Sequence, residues 1–212
     1  MKKSIVLGLG AVALLFASCG GASEGSEVAV DSTEVEVVVE SIVKTFNVDT
    51  AATVITWANF SEGEVDHQGT VSALNGTAEV TITGEEAVIT AATLVIDMNS
   101  ISEESEKLVG HLGSPDFFAL ETYPTSSFTF DRHENGMIYG SVNVLGKDLA
   151  VEAPAEVIVT EGALTVNVGE FKADFGALEM PFFVTEKAEK PEAEWHNASI
   201  QFSATIKATE PQ

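Results

Sequence analysis

Along most of the chain beyond residue 50, apolar and polar residues alternate with a period of two, the pattern of strands with one dry and one wet face. The stretch 77–83 is the cleanest case. Ala78, Val80 and Ile82 fall on one side, and Thr77, Glu79, Thr81 and Thr83 on the other. The same reading predicts strands over 53–58 (with Trp57), 67–74 (with Val71), 127–131 (Phe128 and Phe130 on one side), 137–145, 149–160, 164–169 and 199–207. Residues 88–98, including Ile96 and Met98, are apolar on both faces, as in a strand covered on its outer side as well. Asn75-Gly76 and Asn135-Gly136 read as two-residue hairpin turns, and Gly162 as another turn. Pro154 marks its strand as an edge or a bulge.

One stretch, 97–130, leaves this pattern, turns helical and returns to β. Ser100 and Ser102 are candidate N-caps, and Ser100 with Glu103 fits a capping box. Lys107, Leu108, Val109, His111 and Leu112 continue the helical spacing until Gly113 stops it. Ser114-Pro115 then opens a second short turn carrying Phe117 and Phe118, two large apolar side chains that need cover. The expected fold is all-β: eight to ten antiparallel strands around one apolar interior, with a helical excursion at about 100–118. A two-sheet sandwich and a barrel both satisfy this pattern, and only the barrel removes exposed edges. Eight strands enclose either packed side chains or one small ligand. The pattern leaves both open.

The N-terminus changes the picture from a free domain to an exported one. Lys2 and Lys3 precede an apolar run, Ile5 to Phe16, too short to span a bilayer, so 1–18 is expected to be a signal peptide. Ala17-Ser18-Cys19 resembles a bacterial lipobox, which implies acylation of Cys19, the only cysteine, and a membrane anchor. Phe16 stands where a leucine is usual. Gly20 follows in place of the aspartate that retains many lipoproteins in the inner membrane, so an outer-membrane lipoprotein is expected, periplasm-facing or surface-exposed. Residues 19–44 read as an acidic tether, although the valine-rich run 34–40 alternates well enough to be a strand. The domain is expected over 45–209.

The formal charge is −23, and with Lys2 and Lys3 removed 8 basic residues stand against 33 acidic ones, for −25. Such a surface repels nucleic acid and anionic headgroups. No metal-ligand spacing links His67, His111, His133 and His196, and neither a G-x-S-x-G elbow nor a phosphate loop is present. No cofactor, metal or catalytic residue is therefore expected. His111 and Asp116 flank Gly113 and admit two accounts: local bonds to exposed backbone ends, or polar groups at a pocket rim.

Phe46-Asn47-Val48-Asp49, Ile55-Thr56-Trp57 and His67-Gln68-Gly69 resemble the opening of the YceI-like family. The 96–101 run IDMNSI, the 108–112 run LVGHL, Asp116-Phe117-Phe118, Tyr123-Pro124 with Phe128, and Asp174-Phe175-Gly176 continue that resemblance in order. Gly113 departs from a basic residue common in the family, Lys147-Asp148 from a threonine-containing turn, and the arginine usual before Asp174 is missing. The resemblance implies a lipocalin-like barrel that binds isoprenoid or fatty-acid-like lipids in an elongated cavity. Trp57, Val71, Ile96, Met98, Phe128 and Phe175 from strands, with Leu108, Phe117 and Phe118 from the excursion, are expected to line it, with His111 and Asp116 at the rim. The excursion becomes a lid or plug. Two other classes stay in view: a structural or interaction lipoprotein with a filled barrel, and an enzyme acting on a lipid headgroup through His111 and Asp116; the oligomeric state is left open, a dimer included.

Overall fold

The computed structural model describes residues 40–211, and the alternating stretches fold there into nine antiparallel strands. In chain order these are β1 (Ser41–Val48), β2 (Val54–Ser61), β3 (Glu64–Thr83), β4 (Glu86–Glu103), β5 (Thr125–Glu134), β6 (Met137–Val144), β7 (Lys147–Thr160), β8 (Ala163–Asp174) and β9 (Ser199–Thr209). Strands β2 to β9 close into an eight-stranded barrel through the order β3-β2-β9-β8-β7-β6-β5-β4 and a further β3–β4 pairing. The ninth, β1, pairs with the second half of β3 and touches β9 at Asn47 and Val48. It thus takes the place of β2 between β3 and β9 at one end of the barrel.

That arrangement corrects two boundaries. Residues 41–44, expected in the tether, belong to β1, with Ser41 opposite Thr83 and Lys44 opposite Val80. The rest of the expected tether, the signal peptide and Cys19 lie outside the described residues. Asn75-Gly76, expected as a hairpin turn, lies inside β3, so the strands expected over 67–74 and 77–83 are one. Leu74 is an extra residue opposite β4, a bulge that bends the strand where β2 gives way to β1. Gly76 serves close approach there. A Cβ would stand 2.6 Å from the Thr93 carbonyl oxygen and 2.9 Å from Val48 Cγ2. Asn135-Gly136, by contrast, is a true two-residue turn, with φ of 53° and 70°.

Pro154 sits within a barrel strand without breaking it. Ala155 N–H donates to Gly136 O, so the nitrogen before it faces β8, whose pairing with β7 begins only at Ala155. The seam that β7 and β8 leave open is covered by a second helical segment, a 3₁₀ turn over Phe175–Leu178 and a helix at Pro181–Glu189. Phe175, Leu178, Met180 and Phe183 bury themselves there against Val144, Leu149 and Ala173. The excursion at 97–130 is therefore not the only helical departure. Proline at the first turn of Pro181–Glu189 was the available signal.

The expected excursion begins later than its serines suggested. Its helix, α1, runs Glu106–Leu112, and Ser105 caps it by accepting Leu108 N–H at 3.4 Å. Ser100 and Ser102 lie in β4, where their hydroxyls accept Ser72 N–H (2.7 Å) and Thr70 N–H (3.1 Å) across an irregular stretch of pairing. They satisfy strand donors that the bulged partner backbone has left. Gly113 does end α1, at φ −76°, with Leu120 Cδ1 3.0 Å from where its Cβ would be. The helix Pro181–Glu189 is α2. No helix among the described residues is long and apolar enough to cross a membrane.

Candidate functional site

Inward-facing residues of all eight barrel strands surround a cavity of about 260 Å³. Its wall is hydrocarbon and aromatic apart from the residues Thr77, Thr93, Ser126 and Ser203. All four hydroxyls are already engaged, Ser126 donating to Asn143 O (2.6 Å), Ser203 sharing a 2.7 Å hydrogen bond with Thr56, and Thr77 sharing one of 3.2 Å with Thr93. A small volume with so long a wall is a narrow channel, a shape suited to a chain.

Trp57, Val71, Ile96, Met98, Phe128 and Phe175 stand on this wall, as do Phe117 and Phe118. Leu108, His111 and Asp116 do not. On α1 the residue that reaches the wall is Leu112, one turn beyond Leu108. Phe128 owes its position to Gly140 on the next strand, where a Cβ would come within 2.6 Å of its ring. Phe183, Phe202 and Phe171, on the wall but absent from the expected set, come from α2 and the last two strands.

The two helical segments meet over the same end of the barrel. Phe117 and Phe182 stack with ring centroids 4.7 Å apart, and Phe118 meets Phe175 edge-on at 5.9 Å. Phe182 N–H donates to Asp116 O at 3.1 Å. His111 packs its ring edge-on to Phe117 and Phe182, on the outer side of this layer. Its Nε2 stands 4.0 Å from Asp116 Oδ2, too far for a hydrogen bond, and both side chains are exposed. The two anticipated polar residues thus brace the cover from outside.

The covers differ in how firmly they are held. No α1 residue is fully buried, whereas α2 buries Phe183 and Glu186. Glu186 is the polar anchor that sequence reading missed among so many carboxylates. Its Oε1 accepts from Lys190 Nζ (2.9 Å) and His196 Nδ1 (2.6 Å), and its Oε2 accepts His196 backbone N–H at 2.8 Å. Burial works most strongly against its charge, but the Lys190 and His196 hydrogen bonds together outweigh burial and hold the carboxyl at about 2, against an ordinary 4.5. The sign follows from linkage. A depressed folded-state pKa contributes stability above pH 4.5 that is lost as pH falls towards 2. Acid unfolding followed by tryptophan emission should lose this part of its pH dependence in Glu186→Gln; an unchanged profile would remove Glu186 as the anchor.

The four histidines stay apart, each with a local partner. His67 Nδ1 lies 3.3 Å from Glu103, and His133 Nδ1 accepts Ile89 N–H at 3.3 Å. Burial, partly offset by the Glu86 charge, lowers the pKa of His133 and suits that acceptor role. Among the described residues, no three His, Cys, Asp or Glu side chains gather as metal ligands would.

Comparison with known proteins places this geometry. The closed barrel resembles the crystal structure of Burkholderia cenocepacia BcnA at 18% identity and a TM-score of 0.60, covering 76% of this chain and 99% of that one. It also resembles a polyisoprenoid-binding domain from Saccharophagus degradans implicated in plant cell wall breakdown, at 14% identity and TM-score 0.56, over 78% of this chain and 98% of the other. A Campylobacter jejuni YceI protein matches at 16% identity and TM-score 0.51, over 66% and 84%. At these identities the likeness is one of fold. Among curated proteins none matches. The YceI-like domain model matches residues 46–207, from the buried Phe46 on β1 to Lys207 in β9, and on that match the chain belongs to the YceI-like family.

Proposed function

We propose that this protein binds one long-chain apolar ligand, a polyisoprenoid or similar amphiphile with an uncharged head, and carries or sequesters it without chemical change. The observation that carries this reading is the continuous apolar wall, which offers a chain hydrocarbon contact along its length and no acid or base to act on it. Each CH₂ brought into such a wall contributes roughly 0.8 kcal/mol before the cost of ordering the chain. The polyisoprenoid-binding domain among the structural neighbours supports the ligand class. Acylation of Cys19 would hold the barrel at a membrane, in this reading the bacterial outer membrane, with the segment before β1 as its tether. Cys19→Ala should abolish incorporation of labelled fatty acid, and persistent labelling would remove the anchor from this account.

Organic extraction of the purified protein, followed by mass spectrometry, tests the ligand. A prenyl or long-chain lipid is expected in near-equimolar amount. An empty extract, from protein that also takes up neither prenyl quinones nor fatty alcohols, overturns the reading. Among the described residues no Lys or Arg stands on the wall to pair with an anionic head, and the cover's Lys147 and Lys190 are already engaged with Glu179 and Glu186. Burying an unpaired anion is costly and the surrounding field adds repulsion. Geranylgeraniol should therefore bind more tightly than geranylgeranyl diphosphate by about tenfold or more. Equal displacement of a fluorescent lipid by the two would refute the neutral head.

A further inference from the structure

The barrel is hollow along only part of its length. At the end where β1 replaces β2, Phe46 and Val80 are fully buried (0% exposed), belong to one packed cluster and take no part in the cavity wall. Six members of that cluster also stand on the wall: Ala78, Ile89, Ile138, Leu164, Val166 and Ala208. Leu164 and Ile89, 1% and 3% exposed, are the most deeply buried of the large side chains among them. Each has one side against packed core and another against open space. They are the floor of the channel, and Phe46, brought inward by β1, is the solid layer beneath it.

We infer that Leu164 and Ile89 set the longest chain that the barrel accepts. The inference rests on the chain-binding reading above and gives it a chain-length specificity. Up to the floor, each added methylene exchanges water for hydrocarbon, and affinity rises about fourfold per carbon. Beyond it the chain must buckle or leave its head end in water, because close-packed side chains backed by Phe46 and Val80 do not yield space. Affinity plotted against chain length therefore has a break, and the floor residues determine where it falls.

The test is a series of straight-chain alcohols from ten to twenty carbons, titrated into the mature chain carrying Trp195→Phe. The only other tryptophan, Trp57, stands on the cavity wall, so its emission reports occupancy. Leu164→Ala lowers the floor and should move the break to longer chains by about two carbons, with roughly tenfold or more gained at the new optimum. Leu164→Val, which removes less, should move it by about one and serves if the alanine variant does not fold. Ala92→Leu adds volume to the wall beside the packed cluster and should move the break to shorter chains. Binding by the parent protein with a break that stays fixed in the folded variants overturns the floor assignment and leaves the chain-binding reading standing. A parent protein that binds neither this series nor prenyl alcohols of the same lengths, on which the break is otherwise read, overturns both.

Discussion

Phe46→Ala is expected to cost about 3–5 kcal/mol of folding stability, a large share of the roughly 5–15 kcal/mol that holds a typical domain. Phe46 is among the largest of the fully buried side chains, and it packs in one cluster with Ala78, Val80, Leu164 and Ala208 from three strands. Those neighbours are held by strand pairing on both sides, so they have little freedom to collapse into the space an alanine leaves. The loss should reach the upper part of the range for that reason. Urea unfolding should show a lower midpoint with a nearly unchanged slope. Ile42→Ala on the same strand is the control. Ile42 is 57% exposed, and its truncation should stay within about 0.5 kcal/mol. A Phe46→Ala cost no larger than that of Ile42→Ala would mean that β1 is an appendage and not the plug of the barrel end.

Gly69→Ala is the second large effect, and its cause is steric. A Cβ at this position would overlap the carbonyl group of Ser102, whose carbon would lie 2.8 Å away, and would press Trp57 Nε1 at 3.0 Å. The obstacle on β4 is backbone, which cannot rotate aside as a side chain can. Strands β3 and β4 would have to part near the covered end of the cavity, at Gly69 opposite Glu103. Overpacking commonly costs about 1–3 kcal/mol, and a backbone obstacle puts this substitution at about 3 kcal/mol or above. The Trp57 emission should shift to the red as its indole, whose buried N–H has no partner among the described residues, is exposed. Gly110→Ala gives the contrast. That glycine lies within α1 with nothing within 4 Å of its Cβ position, so alanine should stabilise the helix by up to about 1 kcal/mol. If both substitutions had the same sign, close approach would not be the reason for glycine at 69.

The two helical segments have different mechanical characters. Glu186 ties α2 to the chain entering β9 through His196, and Lys147 Nζ donates to Leu178 O (2.8 Å) from across the β7–β8 seam. The α1 segment is held to the second helical segment by ring contacts of His111, Phe117 and Phe118 and one backbone hydrogen bond, with no ion pair and no fully buried residue of α1. Local opening takes the lower-stability element first, so in the proposed function a ligand passes beneath α1 while α2 remains a wall.

By itself the sequence determined the strand faces, because side chains alternate across a strand whatever it pairs with. Ala78 and Val80 turn inward as their spacing required. It also determined the Asn135-Gly136 turn, whose left-handed backbone needs those residues locally, and a helix ended by Gly113. Ring closure was favoured by the cost of exposed edges but became definite only with the β3–β4 pairing. Tertiary structure decided the rest. Asn75-Gly76 carries the same turn signal as Asn135-Gly136, yet β1 and β4 both pack against that point and keep the chain extended. Glu186 looks in sequence like any of many carboxylates, and only the fold brings His196 and Lys190 to it. The cavity itself is the deepest case. Val80 and Ile96 are both inward apolar residues on neighbouring strands, but one is sealed in packed core and the other faces open space. A void is volume that side chains from distant strands fail to fill. No local pattern encodes that failure, since it depends on how the ring closes, where β1 inserts Phe46 and what the helical segments cover.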